Sequence, residues 1–121
     1  MTDIFLRNWR DFQPKIAHLS AVHWGGLRDI ERDSEDERDR LQRLGGFARH
    51  ALQGRKTSDH HKHENTEQVY YILSGAGRFT LNGHTWDIQP DDAIPATIGD
   101  ARGIVSTGGN DLEFFVMTVA K

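Results

Sequence analysis

GRKTSDHHKHENTEQVYYILSGAG, residues 54–77, is the stretch on which the reading of this chain turns. Three histidines, His60, His61 and His63, stand ahead of an acidic and amide cluster, Glu64, Asn65, Glu67 and Gln68. An apolar, β-rich run follows at 69–73 and ends in the turn Ser74-Gly75-Ala76-Gly77. Side chains alternate between faces along extended backbone, so His61 and His63 share one face and His60 and Lys62 the other. Two imidazoles on one face, within reach of a third nitrogen or oxygen donor, make half a site for a divalent metal. The competing reading is an exposed polar loop whose imidazoles touch only water, and the stretch alone does not choose between them.

Downstream the pattern stays β. Residues 78–81 and 84–88 are two short strands joined by Asn82-Gly83, the strongest two-residue hairpin signal. Gln89-Pro90-Asp91-Asp92 is a turn, and 93–96 is a short strand whose Pro95 predicts an edge or a bulge. Residues 103–106 and 112–119 are strands on either side of a glycine-containing loop at 107–111. Upstream, 47–52 is a further strand, and 20–30 reads as a strand interrupted at Gly25-Gly26.

Residues 31–43 carry six acidic side chains against four arginines. Ser34 with Glu37 fits a capping box and Gly45-Gly46 a helix stop, so one short solvated helix is expected there, pinned by Leu41 and Leu44. Residues 1–19 hold scattered apolar anchors (Ile4, Phe5, Leu6, Trp9, Phe12, Ile16) broken by Pro14, and read as an arm laid along the domain or across a dimer partner. Short strands at this spacing predict an all-β, antiparallel double-sheet sandwich or barrel. The expected division is an N-terminal arm, strand and short helix over 1–44 and a barrel over 45–121, forming one structural domain.

At 121 residues the chain supports one hydrophobic core. Its 36% hydrophobic and 27% charged content is ordinary for a soluble protein on the polar side. No apolar run approaches the roughly 18 residues of a membrane span, and the N-terminus lacks a signal-peptide pattern, so a cytoplasmic protein without a membrane partner is expected. A net charge of −3 without a basic stripe argues against nucleic acid as partner. With no cysteine, any metal must be held by nitrogen and oxygen donors.

Over roughly residues 45–119 this order of elements resembles the cupin superfamily, small double-sheet jelly-roll barrels with a metal site inside. The first cupin motif appears as His61-Lys62-His63, four residues, Gln68, six residues, Gly75. The second appears in degenerate form as Gly83, Pro90-Asp91-Asp92, Arg102 and Ser106, with 102–108 looking like His-Gly-Ile-x-Asn-Thr-Gly changed at both polar positions. The resemblance implies a metal held by His61, His63 and a third ligand. Counting back from Gly75 selects Gln68 and counting on from His63 selects Glu67; Gln68 is favoured, because strand and turn set the count to Gly75. Iron, manganese, nickel and zinc all suit such donors.

The resemblance puts Arg102 in the fourth ligand position, where a permanently protonated guanidinium cannot ligate. Two readings follow. In the first, the chain is a metal-dependent isomerase, lyase or dioxygenase acting on a small anionic metabolite that Arg102 clamps, with Tyr70 also lining the substrate pocket. In the second, it is a metal-free or non-enzymatic cupin that binds a small anion through Arg102. His50 is a replacement ligand or a packed strand histidine. Tyr71, Trp24 and Trp86 line a pocket or belong to the core, and His60, His84 and Glu113 read as surface. Cupins of this size resemble homodimers that exchange or pack N-terminal strands, a role that suits residues 1–19.

Overall fold

The computed structural model describes residues 10, 14–17, 21–29, 44–58, 61–62 and 65–120. Among the described residues ten strands follow one another: β1 (Lys15–Ala17), β2 (Ala21–Asp29), β3 (Leu44–Leu52), β4 (His61–Lys62), β5 (Thr66–Ser74), β6 (Gly77–Leu81), β7 (His84–Ile88), β8 (Ala93–Ala96), β9 (Ala101–Ser106) and β10 (Leu112–Ala120). They form a six-stranded sheet in the order β1-β2-β3-β10-β5-β8 and a four-stranded sheet in the order β4-β9-β6-β7. Every pairing among them is antiparallel. The expected double-sheet β architecture is the one found. The helix expected over 31–43, most of the arm at 1–19, and His60, His63 and Glu64 lie outside the described residues.

The local signals account for the strand ends. Asn82 and Gly83 both have positive φ (49° and 85°), the conformation of a two-residue hairpin turn, and they join β6 to β7 in register. Pro95 lies in β8, the edge strand of the larger sheet, where a missing N–H costs no ladder bond. The ladder between β2 and β3 shifts register between Gly25 and Asp29, at the glycines that interrupt β2.

Alternation along the strands builds the core. In β5, Thr66, Gln68, Tyr70 and Ile72 are buried while Glu67 and Tyr71 are exposed. Leu112, Phe114, Val116 and Thr118 of β10 are buried in the same way. The smaller sheet supplies Phe79, Ile88 and Ile104 to the same apolar cluster. The Tyr70 ring meets Phe79 edge-on with centroids 5.0 Å apart, linking one sheet to the other. Leu52, Ile72 and Leu112 are fully buried towards one end of this interior, whereas Thr66, Gln68, Thr118 and Arg102 make the other part polar. Two aromatics depart from the expectation of a core or pocket position. Trp86 is 51% exposed, because β7 is an edge of the smaller sheet and no described strand flanks it there. Tyr71 lies on the outer face of β5, where its hydroxyl donates to Asp91 Oδ1 at 2.9 Å.

Gly75 ends β5 with φ at +94°, and a Cβ at this position would lie 2.6 Å from the Asp111 carbonyl oxygen and 2.9 Å from Leu112 Cα. Both backbone conformation and space therefore demand glycine, which gives the spacing from Gln68 to Gly75 a physical cause. Gly75→Ala is expected to destabilise the fold by about 3 kcal/mol, combining left-handed strain with overpacking against backbone. Denaturant unfolding of the purified variant measures this. A loss under about 0.5 kcal/mol would mean that the β10 entry relaxes freely.

Candidate functional site

The site is built where β5, β9 and β10 meet inside the barrel. The 56–58 segment runs along β9, with Ser106 N–H donating to Lys56 O at 2.8 Å, Ser58 N–H to Ile104 O at 2.9 Å and Ile104 N–H to Ser58 Oγ at 3.0 Å. β4 continues along the same strand, with His61 in register opposite Arg102. On its other side β9 pairs with β6, and Leu81 is the partner of Arg102. Arg102 is thus fixed in backbone by a neighbour on each side. Its side chain, 1% exposed, is among the largest fully buried ones in the described structure.

A connected polar network surrounds this guanidinium. Arg102 Nη1 donates to Gln68 Oε1 at 2.7 Å, and Nη2 donates to the backbone carbonyls of Asp100 at 3.1 Å and Thr97 at 3.2 Å. Gln68 Oε1 also accepts from the Tyr70 hydroxyl at 3.1 Å, and Gln68 Nε2 donates to Thr118 Oγ1 at 3.0 Å. Arg102 Nε is buried without a hydrogen-bond partner among the described residues. Nor does any described carboxylate stand in ion-pair range of Arg102; the ion pairs among the described residues are Arg49–Glu113 and Arg78–Asp87. A buried guanidinium with neutral partners alone keeps most of its desolvation cost.

The residues singled out from sequence separate clearly. Gln68, Tyr70 and Arg102 come together in one hydrogen-bonded cluster, and Glu67 faces outward. His61 enters through its backbone position opposite Arg102, and His63 lies outside the described residues. His50 is buried and stacked on Phe114, with centroids 5.2 Å apart and planes 4° from parallel. Glu113 holds Arg49 across the outer face of the larger sheet at 3.0 Å. Sequence reasoning assigns no site role to Asn82 or Asp100. Asp100 Oδ2 accepts from Thr97 N–H at 2.8 Å and Thr97 Oγ1 at 2.7 Å, and Asp100 Oδ1 accepts from Asn82 Nδ2 at 2.8 Å. The spacing of Thr97 and Asp100, a hydroxyl and a carboxylate three residues apart around a glycine, is a turn signal that points to this arrangement.

Residues 49–118, more than half of the chain, match the family model described as a cupin domain. The chain belongs to the cupin family. An oxalate-binding protein of Thermotoga maritima is 37% identical over 73 residues, 60% of this chain and 60% of that one. The cupin thus spans under two thirds of that relative's length. Among solved structures, a predicted oxalate decarboxylase from Thermotoga maritima superposes with a TM-score of 0.81 at 24% identity, covering 97% of this chain and all of the other. KdgF from a Halomonas species does so with a TM-score of 0.71 at 15% identity, covering 93% and 92% of the two chains. These two structural likenesses speak for the fold.

Cupin barrels commonly hold a divalent metal, and the donors here can be tested against one. Gln68 Oε1, the third ligand implied by the motif, already accepts from Arg102 and Tyr70. A dication on that oxygen would stand roughly 4.5 Å from the guanidinium and be repelled by roughly 7 kcal/mol at an effective dielectric of about 20. With Arg102 in this position Gln68, the one implied donor whose side chain is described, does not fit a dication. Arg102→His removes the obstacle and adds an imidazole. That variant is expected to take up near-stoichiometric zinc or nickel by elemental analysis after dialysis, and to lose it on adding Gln68→Ala, whereas the wild type retains little. A wild type that retains the metal as well as Arg102→His would show that the guanidinium is no barrier.

Asp100 titrates below the ordinary value of 3.8, held down first by the Thr97 hydroxyl, then by the Asn82 amide and the Thr97 N–H, with the charge of Arg102 adding a smaller effect. Because the folded-state pKa is depressed, the stabilisation is complete above 3.8 and is lost as pH falls through the lowered value. The melting-temperature gap between wild type and Asp100→Asn is therefore expected to narrow as pH drops below 3.8. A gap that stays constant to the acid limit would separate the carboxylate's charge from its effect on stability.

Proposed function

We propose that this cupin is a metal-independent binding barrel for a small carboxylate anion, with Arg102 as its receptor. One observation carries the reading: a guanidinium 1% exposed, with Nε unpartnered among the described residues and no described carboxylate to neutralise it. An anion placed at Nε, the edge of Arg102 left unpartnered among the described residues, would supply a countercharge that no described carboxylate provides, and a charge-assisted hydrogen bond. Bonds from Nη1 and Nη2 keep the planar cation in one orientation before the ligand arrives, which lowers the entropic cost of binding. The Tyr70 hydroxyl and the Gln68 amide lie beside it and give the ligand a polar neighbourhood. The similarity to a protein described as oxalate-binding supports short carboxylates, oxalate first, as the ligand class.

A metal-dependent enzymatic reading of the same barrel needs a dication on Gln68 Oε1, and the bond that Arg102 Nη1 donates to that oxygen disfavours one. Arg102 can hold a carboxylate and stabilise its charge, whereas it supplies neither a nucleophile nor a titrating base at neutral pH.

Isothermal titration of wild type with oxalate, acetate and sulfate tests the reading, with Arg102→Met as the comparison. Oxalate is expected to bind the wild type and to lose at least about 100-fold in affinity in Arg102→Met, the cost of removing the charged partner of a buried anion. Without ligand, Arg102→Met is expected to be as stable as wild type or more so, since an uncompensated buried charge has been exchanged for a thioether of similar length. Equal oxalate affinity in the two proteins would sink the proposal.

A further inference from the structure

Two residues outside the barrel interior are bonded in a way that the anion site alone does not require. The turn at 97–100 links β8 of the larger sheet to β9 of the smaller one, and it is closed by Asp100 N–H donating to Thr97 O at 3.1 Å. Both carbonyls that hold Arg102 Nη2, those of Thr97 and Asp100, belong to this turn. The Asp100 carboxylate binds the Thr97 end through Oδ2 and the β6–β7 hairpin through Oδ1. The Asn82 side chain completes the clasp, because its Oδ1 accepts from Ala101 N–H at 2.9 Å while Asn82 N–H donates to Ala101 O at 2.9 Å. Ala101 directly precedes Arg102.

We propose that Asp100 and Asn82 are positioning residues for Arg102, a surface clasp that aims the buried cation by fixing the two carbonyls behind it. The proposal rests on the reading of Arg102 as anion receptor and adds what holds that receptor in place. Neither side chain touches the ligand. Their action runs through backbone: carboxylate to turn, turn carbonyls to Nη2, and Nη2 to the plane of the guanidinium. If the turn opens, Nη2 loses both acceptors and, among the described residues, the cation keeps only its bond to Gln68, about which it can pivot.

The chemistry of the pair supplies a control. Asn82→Asp sets two carboxylates against each other, and Asp100→Asn sets two amide NH₂ groups against each other. The double exchange Asn82→Asp with Asp100→Asn restores every bond. The amide then at position 100 can donate through its nitrogen to the carboxylate then at position 82, and its oxygen can accept from Thr97. Both exchanged residues tolerate the left-handed conformation required at position 82.

Two readouts keep this separate from the anion proposal. The first needs no ligand: the Arg102 side-chain N–H signals in a proton–nitrogen NMR spectrum, assigned by their loss in Arg102→Met. In wild type the Nη2 protons should be slow to exchange and resolved. They should broaden or vanish in Asp100→Ala and Asn82→Asp and return in the double exchange. The second is oxalate titration, in which the single variants are expected to bind roughly 10-fold more weakly, and the double exchange within about 3-fold of wild type. Unchanged Arg102 signals in Asp100→Ala would overturn the clasp even if oxalate binds. Wild-type signals that behave as stated, in a protein that ignores oxalate, would uphold the clasp and remove the ligand assignment. Loss of affinity in the double exchange equal to that in the singles would also overturn it, because hydrogen bonding would then not be what the clasp transmits.

Discussion

A positive charge that cannot be neutralised by losing a proton lies buried between two sheets, and the rest of the interior is arranged around it. Arg102 meets only neutral acceptors among the described residues: one amide oxygen and two backbone carbonyls. Each has a further partner or tether. Gln68 is held by Thr118 and Tyr70, and the carbonyls by the closed turn at 97–100. Such a network is worth more as geometry than as stability, since neutral dipoles recover only part of the hydration that a guanidinium gives up. The barrel keeps a costly group in a fixed orientation, the usual mark of a site kept for function at the expense of the fold.

The same charge explains how a shared scaffold can change its chemistry. In a metal-binding barrel the inner donors converge on a cation taken from solution. Here the cation is part of the chain, and Gln68 Oε1 points at Nη1. On the proposed reading the positive centre is the guanidinium itself, directional and not a Lewis acid with exchangeable positions. Ligand recognition survives such a replacement more easily than catalysis does, because binding an anion needs charge and shape, whereas polarising a bond needs open coordination sites.

Much of this is legible in the chain. The Asn82-Gly83 hairpin, Pro95 on an edge and the count from Gln68 to Gly75 depend on local backbone rules, and they place the strands within a few residues. The alternation that puts Gln68 inside and Glu67 outside also follows from period two. What is not legible depends on partners distant in sequence. Nothing local says that the Nη2 group of Arg102 finds the carbonyls of Thr97 and Asp100, or that the amide of a hairpin turn reaches across to the next loop. Trp86 escapes sequence reasoning for a related cause: strand patterning shows which residues are apolar but not which strand forms an edge.

The strand order has a consequence for how the chain comes to be folded. β10 lies in the middle of the larger sheet, between β3 and β5, yet among the described strands it is the last to be synthesised. Until it arrives, β3 and β5 each present an unpaired edge, and no shorter pairing among the described strands brings them together. Phe114 and Val116, which close the core from β10, are missing for as long. Contacts between partners as remote as Ala51 and Glu113 make the barrel a high-contact-order fold, a class whose sheets pair slowly. A nascent chain of this kind is exposed to edge-to-edge association until β10 has paired.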